Sequence, residues 1–494
     1  MKKFIMAFTV ACSILCGCSE FLNVDNIGKD TIEGFFSDVD GLKAAGIGLH
    51  RCILEFYDDE YLRFGDVAGD KTNAVIVNIS EGLKYVFDFN NQAEHIAGFP
   101  YYVFNKGYAI CTNANNILFY GEKLLKEYPK MEDTILENFG YAYFARALAI
   151  FELCNVYAMP YDYTPDASHL GVVPIDYVPG FDDILQRESV KVCYDMVLSD
   201  LNTAIGLLEG RDEGNAPYYI SADACKALLA RVYLYMKDYA KVIEYCEPLM
   251  KKYPLDPRDK YVTMFRKAQD YKGTESIFRL NSYNAGTGMR SVFNPLAYQD
   301  VIPCEEFIAS FSDNDVRKEL FTFIGEPEDN EYEGQKFTTC CKYLALKNGV
   351  SAEENRRCDP FVLRGSDIVL MHAEASCALG KLDAAVDDVK TIQARALGVD
   401  KSSIVLSYTG ANGLDKLIQD ERAKELCYEG HRFFDLKRRG EDIIRPASTN
   451  SQMKHLTYPD YRYALPISQT ELQANDYMIQ NEGYNGRKSL EENN

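Results

Sequence analysis

The side chains that could do chemistry are numerous, but their spacing fits no reaction centre. Six histidines stand at 50, 95, 169, 372, 431 and 455. None lies in an HExxH pair or at zinc-finger spacing. There is no GxSxG elbow, no P-loop and no GxGxxG turn. The 74 acidic residues could supply a pair of carboxylates for glycoside hydrolysis, but so large a pool gives no pairing meaning. Asp313-Asn314-Asp315 offers hard oxygens of the kind calcium prefers, but a solvated loop or a helix cap is the favoured reading. Of the 15 cysteines, Cys12, Cys16 and Cys18 fall in the leader. The others form no CxxC pair, and the adjacent Cys340 and Cys341 suit neither zinc nor an easy disulfide. They read as small buried hydrophobes. No catalytic, metal or cofactor site is expected.

Charge narrows the partners. With 53 basic and 74 acidic residues the formal charge of the 494-residue chain is −21. Such a surface repels phosphate backbones and anionic lipid alike, which argues against nucleic acid. Tyrosine (35) and phenylalanine (27) are abundant and tryptophan is absent.

The elements that must position these residues are helical. At the start, Lys2 and Lys3 precede an apolar run from Phe4 to Leu15, too short to span a bilayer and suited to a secretory leader. Leu15-Cys16-Gly17-Cys18 resembles the lipobox of bacterial lipoproteins. That resemblance implies cleavage before Cys18 and lipid attachment to it, leaving residues 18–36 as a tether. Segments 101–128 and 134–157 carry apolar residues at helical spacing and meet at Pro129, predicting a helical hairpin. A third such helix covers 189–209. Segment 222–254 matches the tetratricopeptide pattern through Leu229, Ala230, Tyr233 and Pro254, and 366–397 matches it through Ala373, Gly380, Ala385 and Leu397. The stretches 60–100 and 259–360 are turn-rich and read as long loops carried on the helices, able to converge on one face.

A family resemblance rests on five further stretches. Glu421-Arg-Ala-Lys-Glu-Leu-Cys-Tyr-Glu-Gly-His-Arg-Phe-Phe-Asp-Leu-Lys-Arg-Arg-Gly440 resembles the signature of SusD/RagB lipoproteins. Leu363 to Ala375, Phe144 to Phe151, Asp315-Val-Arg317 and the tail Tyr463 to Tyr484 are similar to further elements of that family. The resemblance implies a mostly α fold in which tetratricopeptide-like hairpins support long irregular loops, with an N-terminal helical region over 37–258 and a C-terminal region over 259–494. It implies a lipid-anchored protein facing the exterior at the outer membrane. Such a protein captures glycan and delivers it to a SusC-like TonB-dependent transporter without catalysis. A peptide-capturing relative and a ligand-free envelope scaffold are the alternatives.

Glu425, Glu429, Arg432 and Asp435 recur three to four residues apart and are expected to form an ion-pair ladder on one helix that holds the fold. Neutral sugars are recognised by aromatic faces and directed hydrogen bonds, and tyrosine supplies both. Such residues gather in two loop segments. The first offers Asp70, Asn73, Tyr101 and Tyr102, and the second Tyr283, Asn284, Arg290 and Tyr298, as ligand-binding candidates.

Overall fold

The computed structural model describes residues 31–95, 99–211, 217–267, 271, 273–282, 288–345 and 358–486. Cys18, Tyr283 and Asn284 lie outside these residues. The fold is mostly helical. Its first helices are α1 (Ile32–Phe35), α2 (Val39–Phe56), α3 (Leu62–Val67) and α4 (Glu81–Phe87). Next come the long hairpin of α5 (Phe99–Glu127) and α6 (Glu132–Tyr157), then α7 (Val190–Leu208). The hairpin turns at Pro129, as its sequence predicts. Its two helices approach closely because Gly121 faces the Phe139 ring, where a Cβ would sit 2.2 Å from a ring carbon.

Both tetratricopeptide-like hairpins form. The first is α8 (Ala222–Tyr235) with α9 (Tyr239–Lys252). The caps explain where each helix starts: the Ser221 side chain accepts from Ala224 N, and Asp238 accepts from Lys241 N. Small Ala227 and Ala230, with Val242 and Cys246 opposite, are fully buried. After α10 (Arg258–Arg266) and α11 (Gly288–Phe293) comes the second hairpin, α12 (Gly365–Ala378) and α13 (Leu382–Leu397). Ala373 and Ala385 fill its seam, while Ala375 faces the main core. Helix α14 (Gly410–Glu425) packs beside it, and α15 (Arg432–Arg439) packs against α3.

Among the described residues the strands form four two-stranded antiparallel pairs. Two of them matter for the site. Thr72–Ala74 (β1) pairs with Val301–Pro303, with Asn73 opposite Ile302, and Ser276–Arg279 (β2) pairs with Phe361–Arg364. The main hydrophobic core runs continuously from Phe36 to Met478. Eleven of the twelve described cysteines are buried, ten in this core and Cys377 in a smaller cluster, and Cys52 is partly exposed.

The stretch 60–100 is less of a loop than its composition suggests. Gly65 and Asp66 lie within α3, and α4 follows after a short strand. It does converge with 259–360, through the β1 pairing and through Asn78 Nδ2 donating to Gln299 O at 2.8 Å. At the tail, Asn481 donates to Tyr157 O and Leu465 O, and Tyr484 donates to Ala464 O, folding the last described residues back onto the body.

Candidate functional site

The signature charges do not form a ladder on one helix. Helix α14 ends at Glu425 and α15 begins at Arg432. Between them the chain turns through two left-handed residues, Tyr428 at φ +59° and Gly430 at φ +81°. The turn splays the charges onto different elements, so each pairs across the fold. Glu425 Oε1 accepts from Arg364 at 2.8 Å and Arg395 at 2.7 Å, and Oε2 accepts from Arg317 at 3.3 Å. Glu429 accepts from Arg364 Nε at 2.8 Å and Lys342 Nζ at 2.6 Å. Glu275 closes the group, binding Arg364 at 2.7 Å and Arg395 at 2.9 Å. All of these side chains are buried. Burial alone would raise the Glu425 carboxyl; Arg395, Arg364 and Arg317 hold it well below its ordinary value.

A second set clamps the two hairpins together. Arg231 on α8 and Arg422 on α14 share the Asp367 carboxylate on α12, at 2.7 and 2.8 Å. Arg438 on α15 grips Glu374 with two bonds at 2.6 and 2.7 Å and reaches Asp435 as well. Asp315 caps the short turn after it and holds Arg317 at 2.9 and 2.7 Å, while Asp313 pairs with Lys318. The acidic Asp313-Asn314-Asp315 run therefore works as a cap and an ion-pair anchor. Among the described residues no cluster of three or more metal-ligating side chains occurs.

The turn at 428–430 also carries the loop face. Asp66 on α3 accepts from Tyr428 N at 3.0 Å and Gly430 N at 2.8 Å. Gly65 lies so close that a Cβ there would sit 2.1 Å from Gly430 O. Burial pushes the Asp66 carboxyl up to about 7 against these two N–H donors. Two residues past Gly430, at the start of α15, Arg432 grips Asp70 with bonds at 2.6 and 2.8 Å. Burial would raise Asp70, but Arg432 and then Lys71 hold it well below the usual carboxylate range. Arg445 donates to Val67 O and Gly69 O, satisfying carbonyls at the end of α3. From this fixed corner the chain enters β1 and reaches the strand Val301–Pro303.

The candidates divide accordingly. Asp70 is buried in its pair with Arg432, and Asn73 fastens the neighbouring loop, accepting from Asn450 N at 2.9 Å. Tyr298 stands out at 75% exposure, four residues before Ile302, the partner of Asn73. Arg290 lies on α11, whose first N–H groups at Gly288 and Met289 donate to Asp58. Tyr101 and Tyr102 meet edge to face at 5.6 Å on the first turn of α5, and Tyr102 is 41% exposed. That turn is tied to the same corner: the Arg63 guanidinium lies 5.9 Å from the Phe99 ring and donates to Asp300 at 2.8 Å. The structure thus draws Asn73, Tyr298 and the start of α5 toward one corner. Sequence reasoning missed Asp58, Arg63 and Asp300, whose partners lie more than two hundred residues away and leave no local trace.

The profile described as SusD family matches residues 212–484. The chain belongs to the SusD family. A second profile, described as "Starch-binding associating with outer membrane", matches residues 63–234. No curated protein matches. A solved SusD superfamily protein from Bacteroides vulgatus shares 25% identity and a TM-score of 0.77, over 91% of this chain and 99% of that one. A SusD-like carbohydrate binding protein from the same species shares 19% identity and a TM-score of 0.71, over 89% and 97%. A laminarin binding SusD-like protein shares 19% identity and a TM-score of 0.66, over 90% and 99%. The SusD fold of this chain therefore places the 421–440 signature at the junction of hairpins and loop face.

Proposed function

We propose that this SusD family chain is a cell-surface lipoprotein, anchored through Cys18, that captures glycan and passes it to a SusC-like TonB-dependent transporter of the outer membrane. The observation that carries the proposal is Tyr298, a large aromatic left 75% exposed just before a segment pinned by the Arg63–Asp300 pair and by the pairing of Val301–Pro303 with β1. A ring presented to water beside a pinned backbone suits stacking on the C–H face of a sugar. Tyr102, Tyr101 and Arg290 extend the contact, and Tyr283 and Asn284 are further candidates for it by residue type. Asp70 and Asn73 act beneath them by holding the loops in place. The solved relatives described as carbohydrate binding and laminarin binding support a neutral glycan as ligand. No catalytic step is part of the proposal.

The test is a binding screen of the form lacking residues 1–18, by affinity electrophoresis and calorimetry, against laminarin, starch, other plant and microbial glycans and a peptide digest. Retardation by one glycan class, weakened at least tenfold by Tyr298→Ala, is expected. Binding to peptides alone would move the ligand to the peptide class, and binding to nothing would leave a scaffold role.

A further inference from the structure

A second exposed aromatic cluster lies at the start of the described chain. Helix α1 contains Ile32 and Phe35, yet none of its four residues is buried; Ile32 is 56% and Phe35 41% exposed. The helix is nonetheless fixed. The Thr31 hydroxyl accepts from Gly34 N at 3.0 Å, and the next residue, buried Phe36, stacks on Tyr120 of α5 at 4.8 Å with ring planes 5° apart. Tyr120 meets Phe119, itself 48% exposed, at 5.0 Å. The Lys123 ammonium lies 4.4 Å from the Phe119 ring and 4.8 Å from that of Tyr120. Two elements distant in sequence therefore build one apolar, aromatic patch with a lysine at its edge.

We infer that this patch is a membrane-contact surface, seated in the headgroup and upper acyl region of a bilayer with neutral headgroups. The inference rests on the reading of Cys18 as the lipidated residue. Thr31 lies thirteen positions after Cys18, a span of at most about 45 Å even fully extended. The bilayer that holds the lipid is thus always within reach of α1, and the tether makes its effective concentration high. Ile32, Phe35 and Phe119 supply apolar side chains that partition into the acyl boundary. Tyr120 suits the headgroup level, and Lys123 can extend its ammonium to water while its stem stays on the rings. Glu33 lies beside the patch, its carboxylate 3.4 Å from Tyr120 Oη, and the chain as a whole carries −21. Both argue for a neutral bilayer over an anionic one. Contact here would hold the body in one orientation on the membrane.

The absence of tryptophan makes the test direct. Full-length lipidated chains carrying Phe119→Trp or Phe35→Trp are reconstituted into phosphatidylcholine vesicles, with and without brominated acyl chains. Tyr332→Trp is the reference, since the ring contact and backbone bond of Tyr332 stay within its own hairpin. At least twofold quenching and a blue shift are expected at 119 and 35 and not at 332. Equal quenching at all three positions overturns the inference, as does quenching at none while the protein still floats with the vesicles. A blue shift that depends on protein concentration and not on bromine would assign the patch to a second copy and also overturn it. Failure to float would overturn the anchor and this inference together. Glycan binding, measured on the same variants, is independent of all these outcomes.

Discussion

The junction at 421–440 and the corner that carries Tyr298 handle polarity in opposite ways. At the junction, Glu425, Glu429, Arg364 and Arg422 are among the most buried side chains of the protein, and every charge is matched. At the corner, the large aromatic Tyr298 faces water and the nearby charges, Asp70 and Asp300, are turned inward into arginine pairs. At the junction, charge locks the scaffold, whereas the surface that the proposed function offers to a ligand is led by tyrosine rings. Buried ion pairs are poor stabilisers relative to hydrophobic packing, but each is costly to break once present. They therefore fix one arrangement of hairpins and loops, which is what a preformed binding face needs.

This contrast can be broken most severely at Glu425. Glu425→Ala leaves Arg364, Arg395 and Arg317 short of a shared carboxylate in a buried site. A loss of about 3–5 kcal/mol is expected, read as a lower urea midpoint or as failure to accumulate folded protein. Unfolding at the wild-type midpoint would show that the junction is not a locked unit.

The joint between the two regions has a pH signature. The folded Asp66 carboxyl is raised from 3.8 to about 7 by burial, whereas an unfolded aspartate titrates near its ordinary value. Between about pH 4 and 7 the folded chain holds a proton that the unfolded chain releases. The stability from this group is present in full below about pH 4 and is lost as pH rises through 7. Asp66→Asn removes that dependence. The stability of wild type relative to the variant is expected to fall by about 2 kcal/mol between pH 5 and 7.5, measured by urea unfolding at both values. Parallel behaviour of the two proteins would contradict it.

Asp70→Asn should cost less than Glu425→Ala, about 2–3 kcal/mol, by weakening a charged hydrogen-bonded pair. It should also weaken glycan binding, because β1 follows directly and carries the corner. A variant with lowered melting temperature and unchanged glycan affinity would separate the corner from the junction.

The helical frame is legible in the sequence because its signals are local. Ser189, Ser221 and Asp238 cap where apolar periodicity begins, and the alanines of 222–254 and 366–397 mark the two hairpin seams. Asp315 and Arg317 show their pairing at a spacing of two. The junction is not legible in the same way. Glu425 and Glu429 stand at helical spacing, so a single ladder is the natural reading, but the left-handed pair at 428 and 430 breaks the helix and sends them to Arg364, 61 and 65 residues away. Of the ligand candidates, residue type alone could not tell Asp70, absorbed by Arg432, from Tyr298, left in water. Burial is decided by partners hundreds of residues distant.

The most direct measurement compares wild type and Tyr298→Ala in parallel, by calorimetric titration with the glycan that the screen retains and by thermal unfolding. An exposed side chain outside the packed body should change stability by no more than about 0.5 kcal/mol, so the melting temperatures should coincide while glycan affinity falls at least tenfold. Full affinity in Tyr298→Ala, at the same melting temperature, would contradict the division of this chain into a charged scaffold and an aromatic binding face.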